Sequence, residues 1–223
     1  KVNVFFQADN LYTQTLNKNE FVKRIYDDGT IINQQLKRNR NTNYSTTKAG
    51  VDWNINDYNT VTVSALFGSE KIIDNGDQPF FNGDLSKRLR FWQFLEDELK
   101  TTVMATAAYQ HKFKQAGHLI NLGLNYTFHR EDEKYFYDNY LPTSVGTDAF
   151  ALISDEQVYD FNFDYLKPLR YGRLETGIKI RNRSIPTNMQ FIPGANSVLD
   201  TNAGGWANYN ELIPAIYANY VYE

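Results

Sequence analysis

Residues 118–129 read HLINLGLNYTFH. Ile120, Leu122, Leu124, Tyr126 and Phe128 fall on one side of an extended chain, and Asn121, Gly123, Asn125, Thr127 and His129 on the other. Successive side chains of a β-strand point to opposite faces, so this repeat of two describes a strand with one apolar and one polar face. A helix would need the apolar residues at three- and four-residue spacing, and they are not there.

The same period runs outward in both directions. Val103, Ala105, Ala107, Tyr109 and Phe113 oppose Thr102, Thr106, Gln110 and Lys112. Ala49, Val51, Trp53 and Ile55 oppose Lys48, Gly50, Asp52 and Asn54. Tyr159, Phe161, Phe163 and Tyr165 oppose Asp160, Asn162 and Asp164. Leu174, Thr176, Ile178 and Ile180 oppose Arg173, Glu175, Lys179, Arg181 and Arg183. The strand segments expected are 2–16, 20–36, 38–55, 60–73, 88–113, 118–137, 154–167, 172–186 and 206–223. The second is highly polar, and Asp27-Asp28-Gly29 reads as a turn inside it, so it is expected as a hairpin above any membrane.

A soluble antiparallel sheet with one face on a core shares this alternation. Three features favour lipid. Segments 88–113 and 118–137 exceed the five or six residues usual for a globular strand. Connections alternate between tight turns (Asn56-Asp57-Tyr58-Asn59, Lys114-Gln115-Ala116-Gly117, Leu169-Arg170-Tyr171-Gly172) and longer stretches at 73–87, 138–153 and 184–205, the outer-membrane arrangement. Aromatics gather towards strand ends, at Trp53, Phe91-Trp92, Tyr109, Phe113, Tyr135-Phe136-Tyr137, Tyr165 and Tyr171, where interfacial girdles are expected. The fold expected is all-β, a partial antiparallel transmembrane outer-membrane β-barrel with roughly eight or nine strands of a larger barrel. The residues expected to face lipid are Val51, Trp53, Val103, Ala105, Ile120, Leu122, Leu124, Tyr126, Phe161, Phe163, Ile178 and Ile180.

Composition agrees. The chain has 223 residues, 15% of them aromatic, a net charge of −3 and no Cys, which removes disulfides, thiolate catalysis and Cys-based zinc sites. No basic stripe suggests nucleic acid. His111, His118 and His129 lack metal-ligand spacing. No run is long enough for a transmembrane helix, but a barrel strand crosses with only about ten alternating residues. No signal peptide opens the chain, and both ends fall mid-pattern, so residues 1–223 are expected as a single segment cut from a longer barrel, without a plug domain.

Asp164-Tyr165-Leu166-Lys167-Pro168-Leu169, followed by Leu174-Glu175-Thr176-Gly177-Ile178-Lys179-Ile180-Arg181, resembles a motif of the TonB-dependent outer-membrane receptors of the Bacteroidetes type. Tyr209-Asn210-Glu211 with Ala215-Ile216-Tyr217-Ala218 looks like the next strand of such a barrel, and the turn 54–59 before Val61-Thr62-Val63-Ser64 fits too. The motif itself reads as architecture: Pro168 cannot donate to a ladder and so belongs at a strand end. The resemblance implies a receptor that binds a nutrient outside the cell and passes it inward, driven through TonB acting on a plug. Implied partners are outer-membrane lipid, the remaining barrel and plug, TonB through that plug, and a surface lipoprotein, with no cofactor. The C-terminal Val221-Tyr222-Glu223 lacks the terminal aromatic of a complete barrel, so transport is not carried by these residues alone. The other reading is a structural or adhesive barrel that serves as a platform for surface proteins. No acid–base constellation points to an enzyme. The ligand-binding residues are not legible, because ligand contacts lie on loops and plug.

Three polar motifs carry local expectations. Asp74-Asn75-Gly76-Asp77 fails the calcium-loop pattern and reads as a turn. Lys37-Arg38-Asn39-Arg40 is a solvated strand end or a grip on lipid phosphate. Glu96-Asp97-Glu98 and Glu131-Asp132-Glu133 lie at similar distances from the turn at 114–117 and should meet across a hairpin above the lipid. By parity Glu96, Glu98, Glu131 and Glu133 face inward. Their charges need offsetting, by Arg90, Lys100, Arg130 and Lys134 or by a divalent ion held by those four glutamates.

Overall fold

The computed structural model describes residues 1–140, 144–195, 197 and 199–222. The strands are β1 (Val2–Ile25), β2 (Ile31–Asn56), β3 (Asn59–Asn82), β4 (Arg88–Lys112), β5 (Leu119–Tyr140), β6 (Ser144–Leu169), β7 (Gly172–Ile192) and β8 (Gly205–Val221). A short 3-10 turn, Thr201–Ala203, precedes β8. All pair antiparallel with their sequence neighbours in one sheet ordered β1 to β8. Among the described residues β1 and β8 do not pair with each other, so the sheet is open, as the strand number implies.

The three tight turns stand where the sequence places them, at one end of the sheet. At the other end the strands run further than the alternation does. β3 continues into 73–87, β5 and β6 into 138–153 and β7 into 184–205, leaving shorter connections. Residues 141–143 of the second connection, and Glu223 of the C-terminal pattern, lie outside the described residues. Above the lipid both faces of a strand meet water, so hydrophobic alternation fades while backbone pairing persists. Segments 2–16, 20–36 and 38–55 accordingly merge into two strands. The turn at Asp27-Asp28-Gly29 joins them, with Gly29 at φ 82°. A register shift between Thr15 and Lys18, where Asn17 takes φ 55°, marks the gap left between the first two segments. The register also removes the expected turn at 74–77, which lies inside β3. Gly76 is there because a β-carbon would overlap the Lys37 carbonyl of β2.

Register decides the faces. Trp53, Val61, Tyr109, Leu122, Phe163 and Ile178 form one row across β2–β7. Val51, Val63, Ala107, Leu124, Phe161 and Ile180 form the next. Ala105 pairs with Tyr126, Val103 with Phe128, and Ile120 with Tyr165 on the same face. All twelve residues expected to face lipid therefore share one face. That face carries no charge on β5 from Ile120 to Phe128, and then meets the Arg130–Asp155 pair at 3.2 Å. Eight residues at ~3.3 Å and a tilt of about 40° span roughly 20 Å, close to the ~25 Å apolar band of outer-membrane barrels. The opposite face at this level is polar. Ser64 and Thr106 hydroxyls meet at 2.5 Å, and Arg181 grips Asp160 through Nε (2.8 Å) and Nη2 (3.1 Å).

The 164–181 motif now has a physical cause. Tyr217 of β8 lies across Gly177 of β7 and donates its hydroxyl to Asp164 Oδ1 of β6 at 2.7 Å. A β-carbon at Gly177 would overlap the Tyr217 ring and the Phe163 carbonyl. Glu175 takes Arg173 at 2.6 Å and the Asn219 amide at 3.5 Å. Gly177→Ala in the complete barrel should cost roughly 1–3 kcal/mol of folding stability in a bilayer by overpacking. Tyr217→Ala should be partly protected from that loss, so a double-mutant cycle with additive losses would contradict the stacking.

Candidate functional site

Beyond the charge-free band, the polar face of β2–β7 gathers most of its buried groups. The acidic triplets meet there: Glu98 pairs directly with Glu133, Leu99 with Asp132 and Lys100 with Glu131. Adjacency and parity agree with the sequence. Glu96 and Glu98 are buried on the polar face, while Asp97 and Asp132 turn outward to Lys71 and Lys134.

Compensation is more local than the four expected cations. Lys100 Nζ lies 2.9 Å from Glu98 and 3.2 Å from Glu131. Tyr135 donates its hydroxyl to Glu133 at 2.7 Å. Arg130 turns to Asp155, and Arg90 lies over the Trp92 ring at 5.5 Å, so neither serves the glutamates. Burial, with a hydrogen bond to Glu131, pushes the Glu98 carboxyl up to about 7, against the pull of Lys100. Accepting that bond lowers Glu131. Oxygens of Glu96, Glu98 and Glu133 approach within 4.8 Å of one another, and these three are the residues that could hold a divalent ion. Glu131, the fourth ligand expected, is drawn to Lys100.

A second charged group flanks the first. Asp74 of β3 is fully buried, pairs across the sheet with Glu96, and faces Arg38 Nη1 at 3.6 Å and Arg40 Nη1 at 3.9 Å. Its oxygens accept no hydrogen bond among the described residues, and burial raises its pKa despite both arginines. The Lys37–Arg40 cluster is therefore split by strand alternation. Arg38 and Arg40 serve Asp74 on the polar face.

Sequence reading missed the third component. Trp92, Tyr135 and Tyr137, expected in a girdle, share the polar face with Glu96. They join Phe80, Phe150 and Phe191 in a continuous chain of rings. Phe80–Trp92 centroids are 4.8 Å apart, Trp92–Tyr137 5.3 Å, Tyr137–Tyr135 5.9 Å, Tyr135–Phe150 5.7 Å and Phe150–Phe191 5.4 Å. The signal was available: Trp92 has the parity of Glu96 and Glu98, and Tyr135 and Tyr137 that of Glu131 and Glu133.

An open antiparallel sheet with one apolar, charge-free band and an opposite polar face is the wall of an outer-membrane barrel. The family described as "Outer membrane protein beta-barrel family" matches residues 111–223, just over half of the 223, and the chain belongs to it. Neither the curated proteins nor the solved structures contain a match.

The raised Glu98 carboxyl sets a pH dependence. Its folded-state value exceeds the ordinary 4.5, so folding favours the protonated form. That stabilisation is full below pH 4.5 and is lost as pH rises through about 7. Glu131 has the opposite sign, its contribution lost as pH falls below its ordinary range. Thermal unfolding of the complete barrel in detergent should show stability falling by on the order of 1–3 kcal/mol between pH 4.5 and 8. Glu98→Gln should flatten that slope, and an unchanged slope would remove Glu98 as its source.

Proposed function

We propose that this chain is barrel wall of an outer-membrane TonB-dependent receptor that imports a nutrient ligand. The observation that carries the reading is the segregation of side chains along the strands. The apolar face is uncharged only over a bilayer-sized band, while acids, arginines and stacked aromatics gather on the opposite face towards the long-connection end. Such a distribution suits a vestibule that captures a ligand outside the cell and hands it inward. The 164–181 motif adds a family likeness. The remaining strands and a plug come from elsewhere in the receptor, because unpaired strand edges in lipid cost several kcal/mol per group. No catalytic step is assigned to these residues.

A second reading, a platform for surface proteins, has one observation of its own. A groove of about 860 Å³ is lined by Asn19, Phe21, Gln35, Lys37, Asp77 and Gln93, on the apolar-face side beyond the charge-free band. A surface lipoprotein bound there would sit beside the barrel, not inside it.

Energised uptake separates the two. In cells carrying the complete protein, collapse of the inner-membrane proton gradient should abolish uptake of its nutrient and leave surface binding intact. Uptake indifferent to the gradient, or absent, would favour the platform. The membrane assignment has its own test. Leu122→Arg should cost roughly 2–4 kcal/mol in a bilayer folding assay, whereas Asn125→Arg on the opposite face should be tolerated. Equal losses would mean that the faces are wrongly assigned.

A further inference from the structure

Five rings of the aromatic chain, Trp92, Tyr135, Tyr137, Phe150 and Phe191, line a half-open cavity of about 430 Å³, with Asp148 among the lining groups. Aromatic chains of this kind normally form a core between two layers. Here the sheet is a single layer, and the described residue that reaches the cavity from outside the strands is Leu199 of the 193–204 connection.

The chemistry of the walls points one way. Ring faces carry negative partial charge and attract cations. Asp148 is nearly buried and accepts the Gly194 N–H at 2.9 Å, which leaves carboxylate capacity for a further donor. Glu96 and Glu133 flank the rings, and Tyr135 bonds Glu133 directly. Burial pushes the Tyr137 phenol up to about 12, with smaller contributions from the charges of these two carboxylates. No Lys or Arg is among the described residues lining the cavity. The Arg90 guanidinium lies over the Trp92 ring, 5.5 Å from its centroid, so this ring already faces a cation.

We propose that this cavity binds an organic cation, an alkylated or protonated amine on a compact apolar body. As the class of imported substrate the assignment rests on the receptor reading; as a binding site it does not.

The test is calorimetric titration of the complete barrel in detergent with choline and with 3,3-dimethylbutan-1-ol, the same shape without the charge. Choline should bind saturably and the neutral alcohol at least about tenfold more weakly, a ~1.4 kcal/mol difference within the range of a desolvated cation–π contact. Phe150→Leu and Asp148→Asn should each weaken choline by a similar factor, and Phe150→Tyr should preserve it. Barrel integrity of each variant is checked by its heat-dependent shift on electrophoresis. Equal binding of alcohol and choline would overturn the proposal in favour of a merely apolar pocket. Saturable binding of methyl glucoside without choline would overturn it in favour of a neutral sugar, and no choline binding would overturn it outright. Choline binding by a protein that shows no energised uptake would leave the site standing and remove the receptor. Energised uptake without choline binding would do the reverse.

Discussion

A polypeptide in hydrocarbon must pair every backbone N–H and C=O within protein, because no water is there to replace a missing partner. That constraint organises the whole chain. It turns each crossing into a strand, ties each strand to both neighbours, and makes the register of one hairpin dictate the face of the next. Once Leu122 is opposite Tyr109 on one side and Phe163 on the other, the rows from β2 to β7 follow without further choice. A slip of one residue anywhere would put Arg181 and Asp160 where Ile180 and Phe161 belong. The open edges of β1 and β8 obey the same rule and call for further strands beside them.

The polar face is free of that demand, so it can concentrate groups that a soluble core would exclude. At membrane level it carries short ion pairs, Arg181–Asp160 and Arg183–Glu156. Beyond the band the balance loosens. Asp74 is buried against two arginines at the limit of ion-pair distance, and Glu98 and Glu131 share Lys100 while burial pushes the Glu98 carboxyl up. Groups held this way are costly as structure. Their proximity to an aromatic cavity is what makes this end of the sheet, and not the membrane level, the place to look for ligand chemistry. Glycines assist where a ring must lie against backbone: Phe5 covers Gly50, and Tyr217 covers Gly177.

Much of this was legible in the residues alone. Period-two alternation determined the strands that cross lipid, their two faces and the tight turns, because a strand with one wet and one apolar side has no other pattern. Parity and equal distance from the 114–117 turn were enough to bring Glu98 opposite Glu133. Other features needed the folded sheet. The true strand ends were hidden, since alternation vanishes above the lipid although pairing does not. Gly76 resembled a turn residue, and only the neighbouring strand shows that it makes room for the Lys37 carbonyl. The clustering of Tyr135, Tyr137, Phe150 and Phe191 into one cavity, the capture of Glu131 by Lys100, and the reach of Tyr217 to Asp164 all join residues of different strands. One strand's sequence states which face a side chain takes, and pairing with its neighbours decides which side chains it meets.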